Sequence, residues 1–265
     1  MMKIKLFTMQ RNEDDILREW IAYHSRIFGA SNIHIIDHLS IKNSVRIIRE
    51  QFPDVHLRLF SQENNPADMM STGKQVTKWM LEEKHNCDIM IPIDSDEFIT
   101  YDGILVDKEK ILSELAKLAE SNEPAYRFNT YQYTHCGMNG DALVSKTGIR
   151  KAPAAKKIFY LSKQFKKTIN GNHGNQFNHK IPHCKLCHLH YTVRGYDQFL
   201  SKFLLSPEGE CDRWTKWGVS LREAKTHEER VNIYNEYLRN QKQEKNIDVS
   251  DFIREIKDIK EKNYE

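Results

Sequence analysis

The sequence predicts an α/β fold: a mainly parallel sheet flanked by helices, with a smaller antiparallel portion and helices at the C-terminus. Three observations predict it. Short apolar runs alternate with helical periods through the first hundred residues, alternating aromatic-rich runs follow, and charge-rich helical sequence dominates from Leu221 onward.

Ile4 to Thr8 reads as a strand. Asn12 then caps a helix with an acidic first turn (Glu13, Asp14, Asp15), a buried stripe of Ile16, Leu17, Trp20, Ile21, His24, Ile27 and Phe28, and a stop at Gly29. A second strand, Ile33 to Ile36, ends at Asp37; a helix spans about Lys42 to Gln51, and Val55 to Phe60 is the third strand. A helix from about Thr72 to Lys84 leads to a fourth strand, Asp88 to Ile93. This β-α-β-α-β-α-β order implies right-handed crossovers and a parallel sheet, whose ligands gather outside the carboxyl ends of the strands. Three polar groups sit at those ends: T-M-Q-R-N-E, Asp37 and D-S-D-E.

After a helix at about Lys108 to Glu120, the runs A-Y-R-F-N-T-Y-Q-Y, K-K-I-F-Y-L and K-L-C-H-L-H-Y-T-V read as further strands, expected to be antiparallel. The last 45 residues read as one or two solvated helices packing on the domain or a partner.

A chain of 265 residues with 39% apolar content can bury one sizeable core. No run is long enough to span a bilayer, the N-terminus reaches R-N-E-D-D too soon for a signal peptide, and five cysteines suit a reducing compartment. A cytoplasmic location follows as an expectation, with peripheral membrane attachment as its variant. Net charge is +3, but Ala142 to Tyr196 contains eleven Lys or Arg, five His and no acid. That segment attracts anions, and it lacks a recognised nucleic-acid motif.

I-P-I-D-S-D-E-F-I places Asp94, Asp96 and Glu97 at the end of an apolar run. Burying three acids is costly without a cation or hydrogen-bond donors, and Mg²⁺ or Mn²⁺ is commonly held by one or two carboxylates plus substrate phosphates. A capped surface turn is the plainer reading of the same residues. Cys184-Lys-Leu-Cys187-His188 matches haem attachment in form, but without an export signal. As a zinc site it would need Cys184 and Cys187, which point oppositely on a strand, so zinc is the lesser reading. On that strand Cys187, Leu189, Tyr191 and Val193 share one face and Leu186, His188, His190 and Thr192 the other. Lys74, in S-T-G-K, could reach a phosphate or be a surface lysine, and His173, in G-N-H-G-N, sits in a glycine turn that could face a diphosphate or acceptor.

Four stretches in order, R-N-E-D-D-I-L-R-E-W-I-A-Y-H, I-H-I-I-D-H-L-S, I-P-I-D-S-D-E-F-I and H-Y-T-V-R-G-Y-D-Q-F-L-S-K, resemble the signatures of GT-A glycosyltransferases of the family 2 and family 92 type. The likeness covers about residues 3 to 203. One departure is Asp37-His38-Leu39-Ser40 where the family often has Asp-Asn-x-Ser.

The resemblance implies a Rossmann-like GT-A fold, with residues 1–220 as the glycosyltransferase domain: a nucleotide-binding half (1–100) and an acceptor and diphosphate half (101–220). Residues 221–265 then form a helical extension. It implies a metal-dependent, inverting transfer from a UDP- or GDP-linked sugar to a glycan or other hydroxyl acceptor. Thr8, Arg11, Asn12 and Glu13 would cradle the nucleotide, Asp37 would bind base or ribose, and Asp94 and Ser95 would join the nucleotide-sugar contacts. Asp94 and Asp96 would hold Mn²⁺ or Mg²⁺, with His190 as a further ligand or diphosphate donor, and Glu97 would orient a loop or basic side chain. Inversion needs a carboxylate base, which no motif fixes. Asp197, Glu208, Glu210 and Asp212, the acids that follow the acid-free segment, are the candidates, with Asp212 foremost, and S-P-E-G-E-C-D-R-W reads as an active-site loop with Trp214 and Trp217 near enough to stack on a sugar. A metal-dependent nucleotidyltransferase and a non-catalytic nucleotide-binding module are the alternatives.

Overall fold

The computed structural model describes residues 2–41, 43–60, 69–133, 143, 149–151, 157–169, 176–177, 179–204, 212–240 and 247–263; of these, 69–72, 133, 149–151, 212–215 and 263 are described by backbone alone. The expected alternation is present: β1 (Ile4–Gln10), α1 (Leu17–Phe28), β2 (Ile33–Asp37), α2 (Ser44–Gln51), β3 (His56–Leu59), α3 (Met69–Glu83) and β4 (Ile89–Pro92). The strands lie in the order β3-β2-β1-β4, every pair parallel. Successive side chains serve opposite faces. Leu6, Ile35 and Ile91 pack under α1, whereas Phe7, Ile36 and Met90 pack against Val76, Trp79 and Met80 of α3. A strand covered on both faces must be apolar throughout. Lys5 departs from that rule and pairs with Glu83 of α3.

The apolar stripe of α1 is buried, and Gly29, at φ 88°, ends the helix with its N–H on the Ser25 carbonyl at 2.8 Å. The helix starts later than expected. Ile16, not Asn12, is the N-cap residue, because Asn12 adopts a left-handed φ of 57° and its side chain accepts a hydrogen bond from the Ile41 N–H at 2.8 Å. The residue expected to start a helix instead ties the loop after β1 to the loop after β2.

The second half adds β5 (Glu97–Tyr101), α4 (Lys108–Ala119), β6 (Ala125–Tyr133), β7 (Ile149–Lys151), β8 (Ile158–Leu161) and β9 (His183–His190). The sheet continues β4-β8-β6-β9-β5, with β7 on β6. β8 runs antiparallel to β4 and β6, and β9 antiparallel to β5 but parallel to β6. The fold class is therefore the expected one, a mixed α/β sheet flanked by helices. The expectation of antiparallel pairing is corrected for β6 and β9: side-chain alternation is the same in either direction, and the long β6–β9 connection permits both.

β5 was not anticipated, and it bends the sheet. Four residues, and so five chain steps, separate Pro92 at the end of β4 from Glu97 at the start of β5, a reach of about 17 Å. Three strands lie between them in the sheet order, a flat distance of about 19 Å. The sheet must curl, and β5 comes to rest against α1.

There its outer edge is satisfied group by group. The Trp20 indole N–H donates to the Glu97 carbonyl at 2.7 Å, the Tyr23 hydroxyl to the Ile99 carbonyl at 2.7 Å, and the Ile99 N–H to His24 Nε2 at 3.3 Å. The Glu97 N–H bonds the Asp94 carbonyl at 3.0 Å, and Tyr101 exchanges both backbone bonds with Leu105. Helix side chains replace a neighbouring strand.

Downstream, α5 (Tyr196–Leu204), α6 (Asp212–Glu223) and α7 (His227–Asn240) gather their own aromatic cluster around Phe199, Phe203, Trp217, Tyr234 and Tyr237. Helix α8 (Ser250–Asn263) is not solvated on every side: Phe252, Ile253, Ile256 and Ile259 join the main core, Phe252 packing on Tyr23 and Phe98. Among the described residues no helix is long and apolar enough to cross a membrane.

Candidate metal and nucleotide site

Topology brings the chemistry to one edge. The parallel strands β1 to β4 end there, β6 and β9 run the same way and end there too, and the opposed strands β5 and β8 begin there. Asp94 and Asp96 follow β4, Glu97 opens β5, Lys157 precedes β8, and His190 closes β9 opposite Glu97.

Asp94, Asp96 and His190 each offer a ligand atom, and the three atoms lie within 4.8 Å of one another. Donors about 2.1 Å from one ion stand no more than about 4.2 Å apart, so shifts of a few tenths of an ångström close the set. Two carboxylate oxygens and an imidazole suit a divalent cation. The charges agree with that fit. Five carboxylates (Glu13, Asp15, Asp94, Asp96, Glu97) meet Lys157, Arg194 and Lys202, an excess of two negative charges when all five acids are ionised and His190 is neutral. The cluster can hold a divalent metal.

Each cation has a defined place. Lys157 is wholly buried, 2.6 Å from Asp94 and 3.5 Å from Glu97. Arg194 is held by Glu13, by Asp15 at 2.7 and 2.9 Å and by the Tyr191 carbonyl at 2.9 Å, and it stands 4.0 Å from Asp96. Lys202 reaches Asp96 at 3.2 Å and the Thr192 carbonyl at 2.9 Å. Burial alone would raise the Asp96 carboxyl, but Lys202, His190 and Arg194 outweigh it and hold the group well below the usual carboxylate range.

Glu97 behaves oppositely, because burial pushes it up to about 7 against the pull of Lys157. Its Oε2 accepts the Asp94 N–H at 3.0 Å, so it orients both a loop and a basic side chain. His188 and His190 both approach its Oε1, at 3.5 and 3.7 Å, which puts the two rings on one face of β9. For His190, burial works against the charged ring, yet Asp96 and Glu97 raise its pKa.

Beside this charged cluster the loops after β1 and β2 are stitched by polar bonds. Asp37, buried, accepts from the Gln10 amide and from the Ser40 N–H at 3.1 Å. Ser40 Oγ accepts the Asn12 N–H at 3.0 Å, and Asp14 accepts the Asn43 N–H at 2.7 Å. Arg11 lies next to His38 and helps burial to lower that ring's pKa; its Nε is buried without a hydrogen-bond partner. Glu13, raised by burial, faces Arg194.

Other expected residues fall elsewhere. Thr8 lies inside β1, which runs two residues further than expected, and is buried. Ser95 is buried in the turn between the two aspartates. Lys74 is exposed on α3, and Asp197 is exposed in the first turn of α5. Asp212 opens α6 with its side chain outside the described residues, as are Glu208, Glu210 and His173 altogether. Trp217 belongs to the α5–α7 cluster and Trp214 is described by backbone alone. Among the described residues no cysteine groups with other metal donors, and burial pushes the Cys184 thiol up to about 12, unlike a thiolate ligand.

Lys157 and Lys202 were missed. Lys202 ends the stretch H-Y-T-V-R-G-Y-D-Q-F-L-S-K, and Lys157 adjoins the apolar run I-F-Y-L. A lysine abutting a strand was the available signal, but only the antiparallel return of β8 brings it to Asp94.

No family model matches the chain, and no curated protein matches it. Solved structures resemble it remotely. Staphylococcus aureus TarS 1–349 in complex with UDP has 12% identity over 83% of this chain and 72% of that one, at a TM-score of 0.45. A cytidylyltransferase from Leptospira borgpetersenii has 8% identity over 92% of this chain and 100% of its own, at 0.37. Mannose-1-phosphate geranyltransferase from Thermus thermophilus has 9% identity over 87% and 68%, at 0.33.

Proposed function

We propose that the protein is a divalent-metal-dependent glycosyltransferase that moves a sugar from a UDP- or GDP-linked donor to a glycan or other hydroxyl acceptor, with inversion. The observation that carries this reading is the convergence of Asp94, Asp96 and His190 at the edge where the parallel strands end. Ligands of such sheets bind at that edge, and a dication beside a phosphate-sized anion suits its donors.

In this reading Asp94, Asp96 and His190 hold Mn²⁺ or Mg²⁺, which supplies Lewis-acid charge to the leaving diphosphate. The loops after β1 and β2 receive the nucleoside, with Arg11, Asn12, Glu13 and Asp37 around it. Arg11 supports this, since a buried guanidinium N–H without a partner gains from a carbonyl or phosphate oxygen. Lys157 and Glu97 fix the turn that carries Asp94. The base comes from Asp197, Glu208, Glu210 or Asp212, and the GT-A domain spans residues 1–220.

The test is a panel of UDP-, GDP- and CDP-sugars with Mn²⁺, read by thermal shift and by product, on the natural chain and Asp96→Ala. Metal-dependent binding and nucleoside diphosphate release, both lost in the variant, are the expected results. Pyrophosphate release instead would make the protein a nucleotidyltransferase. Failure of every sugar nucleotide to bind would sink the proposal.

A further inference from the structure

The three cations around Asp96 are not equivalent. Arg194 is 6% exposed, and Glu13, Asp15 and the Tyr191 carbonyl engage its guanidinium from several sides. It cannot leave. His190 belongs to the ligand set itself. Lys202 differs from both: its side chain is 22% exposed, against 0% for Lys157, and its partners include Asp96 Oδ2 and the neutral Thr192 carbonyl, with Glu13 near enough to feel its charge. It is carried by α5, which packs into the α5–α7 cluster and not the main core. A lysine ammonium on a flexible four-carbon stem can change partners within a few ångströms.

We propose that Lys202 is an exchangeable counter-ion, resting on Asp96 when the metal position is empty and passing to the diphosphate of the nucleotide when metal and nucleotide bind. The inference rests on the metal-dependent reading above and extends it by naming the phosphate-contacting cation. Its physical basis is competition. A dication shared by Asp94, Asp96 and His190 repels an ammonium only 3.2 Å from Asp96. The arriving diphosphate offers that ammonium a stronger anion, and the Thr192 carbonyl, which accepts from the same ammonium, keeps it beside the site. Charge is thereby handed from a resting partner to the leaving group.

The experiment measures Mn²⁺ binding to the intact chain by electron paramagnetic resonance of free Mn²⁺. UDP and GDP binding at saturating Mn²⁺ is then measured by calorimetry. Natural chain, Lys202→Met and Lys202→Arg are compared, with melting temperatures recorded. In Lys202→Met, Mn²⁺ affinity is expected to be undiminished or higher, and affinity for the better-bound nucleotide to fall at least about tenfold, the usual weight of a charge-assisted phosphate contact. Lys202→Arg should restore most of it. A parallel loss of Mn²⁺ affinity would show that Lys202 only positions Asp96, and unchanged nucleotide affinity would show that it never reaches the phosphates; either result overturns the proposal. Absence of Mn²⁺ binding to the natural chain would instead count against the metal-dependent reading on which this one rests.

Discussion

The two sides of the site edge are built differently. On the β1–β2 side, Gln10, Asn12, Asp14, Asp37 and Ser40 satisfy one another and the loop backbone, and the buried Arg11 Nε is left for a ligand oxygen. Facing it, Asp94, Asp96 and Glu97 of the β4–β5 turn, joined by Glu13 and Asp15 from the loop after β1, surround Lys157, Arg194 and Lys202, and the Glu97 carboxyl and His190 ring both shift toward holding protons. One side is preorganised by hydrogen bonds, while the other crowds carboxylates around a set of donors that can hold a cation. Preorganised donors recognise shape, and a charge deficit recruits an ion.

The largest expected effect that separates the two sides is on metal binding. Asp96→Ala should weaken Mn²⁺ binding more than about 100-fold, beyond the 10–100-fold typical of residues that merely support ligands. Calorimetry of the variant against the natural chain checks this, and retention of Mn²⁺ affinity would remove the charged side's distinction.

Lys157→Met comes next. It removes a wholly buried cation from Asp94 and Glu97, and breaking such a group on one side costs about 3 kcal/mol. Urea denaturation should show that loss. If the side is short of positive charge, Mn²⁺ should stabilise the variant more than the natural chain.

A smaller, pH-dependent loss belongs to neither side but to the seam behind them. Burial lowers His24 from 6.5 to about 3, with its hydrogen bond to the Trp20 carbonyl opposing. The unfolded chain therefore takes up this proton first. The associated stability is complete above pH 6.5 and is lost as pH falls toward 3. At pH 5 the loss is about 2 kcal/mol, at 1.36 kcal/mol per unit. Urea titrations at pH 8 and pH 5 measure it, and His24→Gln should flatten that part of the difference.

The smallest effect tests the hydrogen-bonded side. Ser40→Ala deletes an acceptor used by the Gln10 amide and the Asn12 N–H and should cost about 1 kcal/mol. Mn²⁺ affinity should not move. If it falls, the two sides are coupled and the contrast fails.

The same contrast explains what the sequence disclosed. The parallel half was legible because each strand and helix there is a local pattern: the α1 stripe from Leu17 to Phe28, the run ahead of Asp94, and the strand-ending Asp37. Asp94, Asp96 and His190 were named as metal ligands because the aspartates end a strand and the resemblance supplied the histidine, and they do lie together. Asn12 was misread because a left-handed asparagine and an N-cap asparagine look alike before an acidic turn. β5 was hidden because its partner β9 is some ninety residues away and its other edge is served by side chains, neither of which leaves a periodic trace. Lys157 and Lys202 were invisible for a related reason: a buried or bridging lysine has no spacing rule, and only the fold supplies its carboxylates.

The seam between α1 and β5 also bears on how the protein keeps company with itself. An edge strand with free N–H and C=O groups is a template on which another chain can add a strand. Here indole, phenol and imidazole from Trp20, Tyr23 and His24 occupy that template. Molecules of this protein therefore meet at that edge as closed surfaces, and the strand that opens with Glu97 is protected from sheet-to-sheet aggregation by the helix lying across it.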